Sequence, residues 1–179
     1  MRSDIQKLAH LIAKRNVIEA DIAAIVGRPG EIGHVGEYIA SKIFNINLEK
    51  SAVQAGWDGC FTEGDLSGKT VNIKWYAKRE GILDINTHTH PDYYLVLAGP
   101  KANEETSRGK VRPWLIKEVF LFETTWLINE LRNRNIKIRT AASVAQAYWE
   151  HARIFPGSEN SQQVLMLSKK QQEMLKLFG

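Results

Sequence analysis

Only one cysteine, Cys60, occurs among 179 residues, which excludes an intrachain disulfide and fits a reducing cytoplasmic setting. No apolar run reaches membrane-spanning length, and Met1-Arg2-Ser3-Asp4 has neither the charged nor the apolar region of a signal peptide. The expectation is a cytoplasmic protein with no membrane partner. Internal repeats and low-complexity tracts are also missing, so a solenoid or a disordered linker is not the starting point. Large net charge is missing too. Lys and Arg number 24 against 20 Asp and Glu, giving +4 and a pI near 9.2, an excess that permits nucleic-acid binding without demanding it.

What is present is an ordinary globular composition, 44% hydrophobic and 25% charged, at a length suited to one domain with a substantial core. Ser3 and Gln6 resemble a capping box that opens a helix with Ile5, Leu8, Ala9 and Ile12 on one face. A second helix carries Ile18, Ile22 and Ile25 and stops at Gly27, with Pro29 and Gly30 as the break. Residues 1–30 thus read as an N-terminal helical extension and 31–179 as the main domain.

The informative segment follows. Ile32, Val35, Ile39, Ala40, Ile43 and Phe44 form a helical apolar stripe with Glu37 at its border. From Thr70 to Lys78 the chain alternates strictly, with Val71, Ile73, Trp75 and Ala77 on one face and Asn72, Lys74, Tyr76 and Lys78 on the other, as a half-buried strand does. Asp58 lies in the short apolar stretch Trp57 to Phe61, and Glu63 to Gly68 is rich in turn residues. The two segments are expected to pair antiparallel, so that Asp58 faces Asn72 and Lys74. Carboxylates and an amide oxygen converging beside an ammonium suit a hard divalent cation acting on a phosphodiester.

Further along, Asp92 to Ala98 reads as a strand and Trp114 to Phe122 as another, followed by a helix from Thr124 or Thr125 through Asn133. A strand over Ile136 to Arg139, a helix over Ala141 to Ile154, a strand over Gln163 to Leu167 and a helix opened by Ser168 complete the pattern. This mixture predicts an α/β sheet flanked by helices.

Glu37, Asp58 and Asn72-Ile73-Lys74 resemble, in order and spacing, the Glu, Asp and (D/E)-x-K elements of the PD-(D/E)XK, or restriction-endonuclease-like, superfamily. Gly33-His34-Val35-Gly36-Glu37-Tyr38-Ile39-Ala40, Gly56-Trp57-Asp58-Gly59 and Val71-Asn72-Ile73-Lys74 are similar to small uncharacterised domains placed there, over residues 31 to 98. The resemblance implies a restriction-endonuclease-like mixed central sheet and a nuclease dependent on Mg²⁺, with Mn²⁺ as a substitute, acting on nucleic acid, DNA ahead of RNA. It implies Glu37, Asp58 and Asn72 as metal ligands and Lys74 as the group that steadies the attacking water or the transition state. Tyr76 and Lys78 are expected at substrate phosphates, and a homodimer where both strands are cut. Two positions depart from the pattern. Trp57 replaces the usual proline, and Asn72 replaces a metal-binding Asp or Glu, so it brings a carbonyl without charge. The alternative is a degenerate module that binds nucleic acid or a protein without cutting.

Other features compete. His88-Thr89-His90 with Asp92 puts two imidazoles on one face if extended, a pair suited to zinc or iron that resembles the paired histidines of amidohydrolases. Those enzymes are barrels, for which 179 residues are too few. Asp21 to Gly27 is faintly similar to the first helix of a helix-turn-helix, but Arg28-Pro29-Gly30 opens its would-be partner. Lys101, Arg108, Lys110 and Arg112 mark a basic loop that could track a phosphate backbone.

Overall fold

The computed structural model describes residues 3–50, 56–86, 88–101, 112–138, 140–157 and 165–179. Within them the chain is a mixed α/β structure, and no helix is long and apolar enough to cross a membrane. The first helix, α1 (Asp4–Val26), is capped at Ser3, whose side chain accepts from the Gln6 N–H while the Gln6 side chain accepts from the Ser3 N–H. It ends at Gly27, where a φ of 74° needs a residue without Cβ. It runs unbroken where the sequence suggested two helices. Lys14-Arg15-Asn16 interrupts the apolar stripe but contains no helix breaker. Asp21 to Gly27 is therefore the end of this helix and no separate DNA-reading unit.

Helix α2 (Ile32–Phe44) buries Gly36, Ile39, Ala40, Ile43 and Phe44; of the stripe expected from the sequence, Ile32 and Val35 are only half-buried at the edge of the core. Strands β1 (Ile46–Leu48), β2 (Gly59–Phe61) and β3 (Thr70–Tyr76) follow as an antiparallel series. Burial along β3 alternates residue by residue. Its buried members Val71, Ile73 and Trp75 pack under α2, so close that a Cβ on Gly36 would lie 3.0 Å from the Trp75 Cβ.

After a short β4 (Ile82–Leu83), strand β5 (Tyr93–Ala98) lies parallel to β3, with Asn72 opposite Tyr94 and Lys74 opposite Val96. Strand β6 (Glu118–Glu123) pairs antiparallel with β5. Both β5 and β6 are buried almost throughout, as central strands covered on two faces must be. Helix α3 (Thr124–Asn133), β7 (Ala142–Ser143), α4 (Gln146–Ala152), β8 (Arg153–Phe155) and α5 (Lys169–Lys176) complete the chain. The main sheet has the order β1-β2-β3-β5-β6-β8, and β4 pairs with β7 separately.

One core joins α2 and α5 to the face bearing Ile73, Leu95 and Leu121. The other joins α3 and α4 to the face bearing Tyr94, Val96 and Phe120. Several sequence expectations need correction. Residues 114–117 lie outside any strand, and β6 begins only at Glu118, opposite Ala98, where β5 offers a partner. Residues 136–138 form no strand, and the segment read as a helix over 141–154 is a two-residue strand, a two-turn helix and β8. Leu165 to Leu167 is not a strand either; residues 163 and 164 lie outside the described residues, as does Arg139. Ser168 does cap the final helix, through a capping box with Gln171.

Candidate active site

The β2–β3 pairing sets Gly59 opposite Val71 and Cys60 opposite Thr70. Asp58, one residue before β2, thereby reaches the level of Asn72. Its N–H donates to the Val71 carbonyl at 3.0 Å and its carbonyl accepts from Glu49 N–H at 2.9 Å, so the backbone is held on both sides. The side chain is buried, and Oδ2 accepts the Ile73 N–H at 2.6 Å. This bond fixes the carboxylate against the strand that carries Asn72 and Lys74, as the turn-rich hairpin predicted.

Charge around Asp58 identifies its neighbours. Burial pushes its carboxyl above the usual carboxylate range; the Ile73 N–H opposes that, the Glu37 charge adds to it, and Lys74 and Arg28 oppose it again. Glu37, Asp58 and Lys74 therefore share one electrostatic neighbourhood, although they come from a helix, a loop and a strand. Arg28 is the member that sequence reasoning missed. It follows the Gly27 cap and forms an ion pair with Glu37. Only its place in the Gly27-Arg28-Pro29-Gly30 break could have drawn notice, because no periodicity marks it.

Asn72 lies on the half-buried face of β3, and its Oδ1 is buried with no hydrogen-bond partner among the described residues. An orphaned buried carbonyl costs about 1–3 kcal/mol, a cost that a ligand taking its lone pair would remove. The Glu37 and Asp58 carboxylates repel each other, and with the Asn72 oxygen they make an oxygen-only set of the kind that suits Mg²⁺ or Mn²⁺. Glu37, Asp58 and Asn72 are thus the residues that could hold one. Among the described residues no group of three or more His, Cys, Asp and Glu is placed to bind a metal.

Tyr76 continues the Asn72 and Lys74 face. Its hydroxyl accepts the Asp84 N–H at 3.1 Å, and burial, followed by the Asp84 carboxylate to which the O–H is hydrogen-bonded, pushes the phenol far up, so it stays protonated. Lys78 pairs with Glu80 at 3.0 Å. Arg79 is not an open cation, because it is buried, donates to Glu118 at 2.8 Å and to Gln146 at 3.0 Å, and stacks over Phe120 and Trp149. Of the basic loop, Lys101 and Arg112 are exposed, whereas Arg108 and Lys110 lie outside the described residues.

The competing histidines are exposed, and Thr89 between them packs against Gly56. Asp92 is committed elsewhere. Its Oδ2 accepts the Thr70 N–H at 2.8 Å and the Thr70 hydroxyl at 2.9 Å, while its own N–H donates back to that hydroxyl. Burial raises its carboxyl, but those bonds and the Lys69 ammonium outweigh it and hold the group below the usual range. Cys60 is no activated thiol, since burial, Glu49 and Asp92 all push it up. No known protein-family model and no curated protein sequence matches this chain.

Proposed function

We propose that this chain is a restriction-endonuclease-like domain that hydrolyses nucleic-acid phosphodiesters with Mg²⁺ or Mn²⁺, DNA ahead of RNA. The observation that carries the reading is the gathering of Glu37 and Lys74 charges around the buried Asp58 carboxylate, which is bonded to the strand that bears the unpartnered Asn72 oxygen. The order helix, strand, turn, strand and parallel strand, within a mixed sheet, agrees with it.

Glu37, Asp58 and Asn72 would hold the cation. When bound, it would neutralise charge on the scissile phosphate and lower the pKa of an adjacent water, easing its deprotonation as it attacks. Asp58 is oriented for this by the Ile73 N–H, and Glu37 must part from Arg28. Lys74, two residues along the same strand face from Asn72, supplies a fixed positive charge where negative charge grows on the phosphoryl oxygens. Tyr76 and Lys78 would have to part from Asp84 and Glu80 to reach substrate phosphates, and Lys78 lies beyond the end of β3 at Tyr76, where the sequence had extended the strand to it.

A second reading has its own observation. Asn72 is neutral and Glu37 is already neutralised by Arg28, which suits a domain that holds nucleic acid or a protein partner without cutting. One experiment separates the two: labelled single- and double-stranded DNA and RNA, with Mg²⁺ or Mn²⁺ at low salt, presented to wild type, Lys74→Ala and Asn72→Asp. The nuclease reading expects metal-dependent cutting that falls by about 10²–10³ in Lys74→Ala with an unchanged circular dichroism spectrum. Cutting retained in a folded Lys74→Ala protein would sink it. Binding without cutting in wild type, with cutting gained in Asn72→Asp, identifies the degenerate module.

A further inference from the structure

Arg28 is the charge at the site for which the sequence motifs give no role, and the chain around it is tied down. The Gly27 N–H donates to the Ala23 carbonyl at 2.8 Å as α1 ends in its left-handed cap. Beyond Arg28, the Pro29 carbonyl accepts the Glu31 N–H at 2.8 Å and a bond from His34 Nδ1 at 3.0 Å. The backbone is thus held on both sides of Arg28, while its side chain is 47% exposed and has room to turn; its partner Glu37 is 16% exposed. An ion pair this open contributes little to stability, so Arg28 can leave Glu37 at small cost.

Charge balance indicates where it would go. The charged side chains acting on Asp58 are Glu37, Lys74 and Arg28. With both carboxylates ionised, as a metal requires, the four groups sum to zero. A divalent cation on Glu37, Asp58 and Asn72 would leave an excess of two positive charges, which two phosphodiester groups would cancel. Lys74 serves one of them. A guanidinium released from Glu37 has the planar donor pair that grips the other through two hydrogen bonds. We infer that Arg28 is an exchangeable counter-ion: it neutralises Glu37 in the free protein and moves to a second phosphate of the nucleic acid when Glu37 takes a metal, so that metal and nucleic acid bind cooperatively. Each ligand then tightens the other by the same factor.

The inference rests on the proposed metal site, and its test separates the two. Mn²⁺ binding is followed by electron paramagnetic resonance for full-length wild type, Arg28→Gln and Asp58→Ala. A labelled DNA duplex is titrated by fluorescence anisotropy at several salt concentrations, with and without Mn²⁺, in a Lys74→Ala background that slows cutting. Without DNA, Arg28→Gln should bind Mn²⁺ about 2–5-fold more tightly than wild type, because a competing cation is gone. With Mn²⁺, the same change should weaken duplex binding about tenfold and reduce the salt slope by about one; without Mn²⁺, the duplex should bind alike in both. Arg28→Lys should recover the salt slope, since it keeps the charge. A metal site that tightens while DNA binding weakens is not what loss of structure produces. If wild type binds Mn²⁺ through Asp58 and Arg28→Gln binds it no more tightly, the exchange is overturned and the metal site stands. An unchanged salt slope, or no duplex binding, overturns the phosphate contact. No Mn²⁺ binding in either wild type or Arg28→Gln overturns the exchange together with the site it rests on.

Discussion

Asp58 and Asp92 are both carboxylates beside β3, yet their environments drive them in opposite directions. At Asp58, burial followed by the Glu37 charge raises the carboxyl despite the Ile73 N–H, Lys74 and Arg28. A group whose folded pKa exceeds its unfolded value stabilises the fold most while it is protonated in both states, and that contribution is lost as pH rises through the raised value. At neutral pH an ionised Asp58 is therefore a burden on the fold. Asp58→Asn keeps an oxygen for the Ile73 N–H and removes the charge, so it should raise the melting temperature by about 2–4 °C at pH 7–8. The same change should abolish Mn²⁺ binding measured by calorimetry. A variant that melts lower, or binds metal like wild type, contradicts the account. Glu37, Asp58 and Lys74 could be singled out in the sequence because they sat on readable elements. Arg28 was not foreshadowed, because its ion pair depends on how the Gly27 cap and Pro29 aim the chain, and that geometry leaves no pattern in the letters.

At the level of elements, the reciprocal bonds between Thr70 and Asp92 tie the first residue of β3 to the residue just before β5. The Asp92 carbonyl also accepts the Thr124 N–H at 2.9 Å, which adds the start of α3 to the same joint. The carboxyl is held below its usual range, so its contribution is present above the unfolded pKa and is lost as pH falls through the folded one. Asp92→Asn should flatten the acid limb of urea-unfolding stability measured between about pH 2 and pH 6, with little change in the limb above it. An acid limb as steep as that of wild type would show that the joint does not depend on charge. Elements whose partners lie nearby in sequence were the readable ones. Helix α2 and strand β3 announce themselves by period, and β5 by an apolar run. The end of α4 and the start of β8 do not, because Arg153 to Phe155 leaves the helix only to pair with β6, more than thirty residues upstream. Strand β1 is only three residues long, too short for any alternation to register.

The molecule as a whole is a two-faced sheet with a helix standing outside it. Because α1 contributes nothing to either buried cluster, a chain beginning at Gly27 should keep the tertiary near-ultraviolet spectrum and melt within about 2 °C of the full-length protein. A much lower melting temperature would mean that the half-buried turn at Ile22 and Val26 holds α2 in place. The apolar stripe itself was visible in the sequence, which placed Ile5, Leu8 and Ile12 on one face. That this face would stay open was not visible, since amphipathic spacing reports a need for burial and not the identity of what meets it.

The residues proposed for the site lie between Arg28 and Lys74, whereas much of the sheet closes later in the chain. The β2–β3 hairpin and the Asp58 bond to Ile73, 15 residues away, join segments close in sequence, and such contacts cost little loop entropy and form early. The packing of α2 on β3, the parallel β3–β5 pair and the β6–β8 pair require longer excursions. A chain emerging from the ribosome would thus have the Asp58 carboxylate anchored before α2 and the later strands close around it, and refolding followed at Trp57 should run ahead of refolding followed at Trp149.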